Sequence, residues 1–134
     1  LNFPGKHNIY NALASATIAL ELGISTKQIS SALNNYSGVK RRFETIYYNN
    51  KNKIIVIDDY AHHPIEIEYT IQAAKKGWNK RIISIFEPHL YSRTKNFHKQ
   101  FAKALSLSDH IIISDIYGAR EKPIRGVSSK LIIG

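Results

Sequence analysis

Three short runs of apolar, mostly β-branched residues constrain this chain more than any other feature: Lys53-Ile54-Ile55-Val56-Ile57-Asp58, Arg81-Ile82-Ile83-Ser84-Ile85-Phe86 and His110-Ile111-Ile112-Ile113-Ser114. Each is apolar at consecutive positions instead of alternate ones, the pattern of strands covered on both faces, as in parallel sheets. Between them apolar residues recur at helical spacing: Ile67, Ile71 and Ala74 after Pro64, whose fixed φ suits a first helical position, then Phe97, Phe101 and Ala104. Helices alternating with strands supply the crossovers of parallel pairs. The expected fold is therefore α/β, an open, mostly parallel sheet with flanking helices. An α+β domain with an antiparallel sheet is the alternative.

Ahead of this pattern the chain reads as two helices. Ile9, Leu13, Ala16 and Leu20 fall on one helical face that Gly23 ends, and Ser25-Thr26-Lys27-Gln28 fits a capping box that opens a second helix carrying Ile29, Ala32 and Leu33. Asn34-Asn35-Tyr36-Ser37-Gly38 breaks the period, which puts a domain boundary near residue 37, with 1–37 and 38–134 as the two parts. A further strand from Phe43 to Tyr48 is turned by Asn49-Asn50-Lys51-Asn52 into the run at 53–58.

Composition narrows the function. A chain of 134 residues holds about one domain, or one plus the edge of another. With no cysteine, disulfide scaffolds, thiolate zinc sites and cysteine nucleophiles are excluded, and a reducing, cytoplasmic setting is the expectation. No apolar run approaches the roughly 20 residues of a membrane helix, so no membrane role is expected. The sequence opens at Leu1 and has no methionine, so it reads as a piece of something longer. The formal charge of +9 raises nucleic-acid binding, but the longest basic run is Lys40-Arg41-Arg42 and the rest are dispersed. Phosphate-tracking surfaces cluster their basic residues among aromatics, so no nucleic-acid partner is expected. A polyanionic small molecule accounts for the same excess.

Residues with chemistry follow the strands. They are Asp59-Tyr60-Ala61-His62-His63-Pro64, Glu87-Pro88-His89-Leu90-Tyr91-Ser92-Arg93-Thr94 and Asp115-Ile116-Tyr117-Gly118-Ala119-Arg120-Glu121. In a parallel sheet these three loops meet at one edge, where open α/β sheets bind ligands. Taken singly, Asp58 and Asp59 also fit a plain strand end, and His62 or His63 a helix cap. Arg41-Arg42 is either a solvated pair or a phosphate ligand, since a guanidinium matches a pair of phosphate oxygens. Asn8 is either a cap or an amide that reads an adenine edge. Neither Gly-x-x-x-x-Gly-Lys-[Ser/Thr] nor Gly-x-Gly-x-x-Gly occurs, so any ATP used here needs its phosphates held elsewhere.

Four segments, in order and spacing, carry a resemblance: Gly5-Lys6-His7-Asn8-Ile9-Tyr10-Asn11-Ala12-Leu13-Ala14, Gly38-Val39-Lys40-Arg41-Arg42-Phe43-Glu44, Asp58-Asp59-Tyr60-Ala61-His62-His63-Pro64 and Pro88-His89-Leu90-Tyr91-Ser92-Arg93-Thr94, with Gly126-Val127-Ser128-Ser129 beyond. The chain resembles the Mur ligases, most of all the members that add L-alanine to UDP-N-acetylmuramate. The resemblance implies that 1–37 are the last helices of a central ATP-binding domain. It implies that 38–134 are most of a C-terminal Rossmann-like domain, with the N-terminal domain and the rest of the central one as partners from the same longer chain.

It implies a cytoplasmic ligase of peptidoglycan precursor synthesis, inactive in this piece alone. ATP, with Mg2+, phosphorylates the muramate carboxylate and the amine of L-alanine attacks the acyl phosphate. By the same resemblance, His7, Asn8, Asn11, Arg42 and Asp59 contact ATP, and Tyr60, His62, His89 and Arg93 line the amino-acid and acyl-phosphate side. Arg93 takes the alanine carboxylate, because its planar fork suits that group. It assigns no catalytic residue and no metal ligand in this chain. Leu90 stands where relatives often carry arginine. The alternative from another class is a metal-dependent hydrolase built on Asp58, Asp59, His62 and His89, although adjacent histidines lack the spacing of a helical metal-binding pair.

Overall fold

The computed structural model describes residues 6–36 and 38–133, without the side chain of His7. The chain divides into two compact units, Leu1–Tyr60 and Ala61–Gly134.

The first unit holds α1 (Lys6–Glu21), α2 (Thr26–Asn35), β1 (Glu44–Asn49) and β2 (Ile54–Asp58). Helix α1 closes in a Schellman motif: Gly23, at φ 77°, donates to the Leu20 carbonyl at 2.9 Å and Ile24 to that of Ala19 at 2.9 Å. Helix α2 opens on the expected capping box, with Gln28 N–H on Ser25 Oγ at 3.4 Å and Ser25 N–H on Gln28 Oε1 at 3.2 Å. The apolar faces of both helices lie largely open. On α2 the stripe expected to be buried is not: Ile29 and Leu33 are only half-buried and Ala32 is exposed. On α1 Ile9, Leu13 and Leu20 are exposed, Leu13 by 59%. The period is that of an amphipathic helix, but a pair of helices offers too few neighbours to cover it. Strands β1 and β2 form an antiparallel hairpin, pairing Thr45 with Ile57 and Asn49 with Ile54, with a register shift between Thr45 and Tyr47. The turn between them is closed by Asn52 N–H on Asn49 Oδ1 at 3.0 Å.

The second unit holds α3 (Pro64–Gly77), β3 (Ile83–Phe86), α4 (Tyr91–Leu105), β4 (His110–Ile113) and α5 (Lys130–Ile133). Strands β3 and β4 are parallel, from Ile83 opposite His110 to Phe86 opposite Ile113, and α4 is their crossover. Side-chain alternation gives this pair two faces. On one, Phe86 meets Phe101 of α4 with ring centroids 5.2 Å apart, in a core with Ile67 and Ile71 of α3, Ala104, Leu105 and Ile132. On the other, Ile83, Ile85 and Ile112 are exposed, Ile85 by 79%.

The α/β class and the parallel β3–α4–β4 unit are as expected from the sequence. The run at 53–58 differs from the parallel expectation, because its ladder is the antiparallel one with β1. A short Asn-rich turn joins those two strands, and neighbours joined by a short turn can only pair antiparallel. In α3 the third buried position is Ala73 instead of Ala74, which is half-buried.

Candidate active site

Residues expected to bind ligands lie in both units. In the first, the turn Val39–Phe43 is tightly fixed. Arg41 and Phe43 adopt left-handed backbone conformations, φ 57° and 51°, which L side chains tolerate only where surrounding contacts hold them. The contacts are present. Arg41 N–H donates to Glu44 Oε2 at 2.8 Å, Tyr60 N–H to the Arg41 carbonyl at 2.7 Å, and Phe43 N–H to Asp59 Oδ2 at 2.9 Å, while the Phe43 ring is buried. The Arg41 guanidinium lies 4.8 Å from the Tyr60 ring centroid and its Nε lies 3.6 Å from Asp58 Oδ2.

Arg42 sits between the two strained residues with its N–H on the Val39 carbonyl at 3.1 Å. Its side chain is exposed, and no hydrogen bond or ion pair to it is found among the described residues. The turn therefore holds one arginine against Tyr60 and presents the other. On α1, Asn8 is half-buried and Asn11 exposed, three residues apart and so on one helix face. His7 lies in α1, but its side chain is outside the described residues.

In the second unit the three loops do converge. The His89 and Tyr117 backbones form a parallel bridge, with Leu90 N–H on the Tyr117 carbonyl at 2.9 Å and Tyr117 N–H on that of Pro88 at 2.8 Å. The His89 ring stands 5.6 Å from the Tyr117 ring and 6.3 Å from that of His62. Arg93, one turn into α4, brings Nη1 to 3.3 Å from His89 Nδ1 and 3.5 Å from the His62 carbonyl. A guanidinium only donates. In this contact His89 Nδ1 is therefore the acceptor, and its ring proton is on Nε2.

The start of α3 fixes His62. Glu66 Oε2 accepts the N–H of His62 at 2.9 Å and of His63 at 3.1 Å, and His63 Nδ1 accepts the N–H of Ile65 at 3.4 Å. This is a capping box with histidine as the cap. Partial burial pushes the Glu66 carboxyl up, but the two N–H donors and the nearby imidazoles outweigh it and hold its pKa below the ordinary value. The His63 ring packs edge-on to Phe97, with centroids 5.1 Å apart, which turns it from the His62 cluster into the α4 contact.

The structure thus brings His62, His89, Arg93 and Tyr117 together, while Asp59 and Tyr60 belong to the other unit with Arg41 and Arg42. The chemistry on offer is a cationic fork beside an imidazole, suited to a carboxylate, and a presented guanidinium suited to phosphate. Among the described residues no group of three or more His, Asp or Glu side chains is placed to hold a metal ion. This leaves the hydrolase reading of Asp58, Asp59, His62 and His89 without its metal cluster. Sequence reasoning missed Glu66 and the cation–π role of Arg41. The histidine cap was itself one of the readings of His62 or His63, and the glutamate at the third helical position after His63 was the available signal for its partner.

Residues 41–134 match the family model described as Mur ligase, glutamate ligase domain. Among curated proteins, the UDP-N-acetylmuramate–L-alanine ligases of Chlorobium chlorochromatii (strain CaD3) and Pelodictyon phaeoclathratiforme (strain DSM 5477 / BU-1) are 46% and 47% identical over 98% of this chain. The chain covers 29% and 28% of their respective lengths. Among solved structures, UDP-N-acetylmuramate-alanine ligase MurC from Thermotoga maritima superposes with a TM-score of 0.78 at 38% identity, covering 87% of this chain and 26% of that one. A murein peptide ligase from Psychrobacter arcticus 273-4 gives 0.56 at 36% identity, covering 81% and 23%. The turn that presents Arg42 and the His62, His89 and Arg93 cluster both lie in the matched span, and the chain belongs to the Mur ligase family.

Proposed function

We propose that this chain is part of an ATP-dependent ligase that joins L-alanine to UDP-N-acetylmuramate in peptidoglycan precursor synthesis, acting in the cytoplasm. The observation that carries the reading is the identity of 42–47% to curated L-alanine ligases over nearly the whole of this chain. A carboxylate is a poor electrophile, and ATP with Mg2+ supplies the phosphoryl group that gives it a leaving group.

This chain's residues have separable tasks in that reaction. Arg42, exposed on a rigid turn, takes a phosphate, where a charge-assisted pair is strongest. Asp59 already accepts the Phe43 N–H, which aims its carboxylate, and a carboxylate has about four lone-pair sites, enough for a ribose hydroxyl as well. Asn8, Asn11 and His7 on α1 contact the base. Arg93 forks the alanine carboxylate, His89 donates from Nε2, and His62 and Tyr60 complete the amino-acid side. No helix among the described residues is long and apolar enough to cross a membrane. Residues 1–37 are read as the end of the central domain and 38–134 as the C-terminal domain.

The test is full-length protein with ATP, Mg2+ and UDP-N-acetylmuramate, given either L-alanine or a murein tripeptide as the amine. ADP release that depends on L-alanine is expected. ADP release only with the tripeptide overturns the assignment.

A further inference from the structure

Helix α4 carries Arg93 in its first turn, yet it begins without a cap of its own. The residue at the cap position is Leu90, which has no side chain able to accept an N–H, and its backbone is in the left-handed half of φ space at 74°. The first N–H groups of a helix need acceptors. One arrives from 29 residues away. Glu121 Oε2 accepts the N–H of Ser92 at 2.9 Å and its Oε1 the Ser92 hydroxyl at 2.5 Å.

The same segment is pressed onto the helix start at a second point. A Cβ on Gly118 would stand 2.7 Å from the Tyr91 ring and 3.1 Å from the Glu121 carbonyl, so any larger residue there displaces the ring. Next to them, one residue before Gly118, lies the Tyr117 bridge to His89. Segment 117–121 therefore grips residues 89–93 by a backbone bridge, a ring on a glycine and a bidentate carboxylate. The gripped residues include both His89 and Arg93.

We propose that Glu121 is a positioning residue for the amino acid: by capping α4 from a distant loop it fixes the His89–Arg93 pair that receives the carboxylate of the incoming amino acid. This rests on the functional reading above. Glu121 makes no hydrogen bond to His89 or Arg93 among the described residues, and its charge attracts the Arg93 guanidinium from a distance. Glu121→Gln removes that charge and keeps the bonds to Ser92, so it separates the cap from the charge. Glutamine retains the arrangement, because its carbonyl accepts the Ser92 N–H and its amide donates to the Ser92 hydroxyl, which is both donor and acceptor. Alanine removes both bonds.

In full-length protein, Glu121→Ala is expected to raise the KM for L-alanine about 10-fold with the KM for ATP within about twofold, and Glu121→Gln to restore the parent value within about threefold. Equal shifts in both KM values, no shift in either, or a Gln variant as impaired as Ala overturns the proposal. Should the Ala variant not fold, Ser92→Ala carries the test by deleting one of the two bonds: the KM for L-alanine rises about threefold with that for ATP unchanged. An unmoved L-alanine KM there overturns it too. If the parent protein joins no L-alanine at all, the functional reading fails, and the cap is judged by amide exchange. Ser92 must then exchange at least about 10-fold faster in Glu121→Ala than in the parent, with Ile71 unchanged. Equal protection of Ser92 ends the cap proposal independently.

Discussion

Arg42 lies in the Val39–Phe43 turn and Asp59 braces that turn from the end of β2, and the two differ in what their removal does. Arg42 presents its guanidinium from a backbone held by its neighbours, so truncation costs the fold little. Asp59 accepts the N–H of Phe43, a residue with a buried ring and a strained φ. Removing that acceptor leaves a part-buried donor unmet, at about 1–3 kcal/mol. Arg42→Ala in the full-length ligase is accordingly expected to raise the KM for ATP about 10-fold with an unchanged melting temperature. Asp59→Ala lowers both activity and melting temperature, and Asp59→Asn keeps the acceptor and recovers the latter. Steady-state kinetics beside thermal unfolding checks all three, and an Arg42→Ala protein with parental ATP kinetics counts against the phosphate role. In sequence the doublet Arg41-Arg42 is symmetrical. Only the positive φ of Arg41 and Phe43 separates an arginine stacked on Tyr60 from one offered outward.

At the scale of elements, α3 shows how far local chemistry reads through. Pro64 at the first helical position marks the start of the helix and the apolar period its course through Ile71, and both are local signals. Its capping box has a consequence for pH. The Glu66 pKa is lowered in the folded chain, so the carboxylate stabilises the fold above the ordinary glutamate value of about 4.3 and loses that contribution as pH falls through the lowered one. Glu66→Gln keeps a cap acceptor and deletes the titration. Its melting temperature is expected to fall less steeply than the parent's between about pH 5 and pH 3. Identical slopes would show that the cap carries no charge-dependent stability. By contrast, the α1 stripe was legible as a period but not as a buried surface. Amphipathicity states which face seeks cover and says nothing about what supplies it.

For the whole molecule, no Gly-x-x-x-x-Gly-Lys-[Ser/Thr] loop occurs in these 134 residues, so under the proposed function Arg42 and Asp59 would meet a nucleotide whose phosphates are cradled elsewhere. ATP titrated calorimetrically into the 134-residue chain is expected to bind at least about 100-fold more weakly than into full-length protein, a difference of about 2.8 kcal/mol. Matching affinities would place the nucleotide site wholly within these residues.

The amino-acid sequence by itself determined the α/β class, the end of α1 at Gly23, the capping box of α2, the start of α3 near Pro64, the hairpin turn and the family motifs. Each of these depends on residues close together along the chain. The alternation of strands and helices already implied that the loops carrying His62, His89, Arg93 and Tyr117 gather. Tertiary structure alone decided which of their side chains touch, that the run at 53–58 pairs antiparallel with β1, and that Asp59 joins Phe43. It alone decided that Glu121 caps a helix beginning 30 residues earlier. Such contacts arise where the folded backbone closes long loops, and no periodicity or local propensity encodes which distant group fills a missing cap.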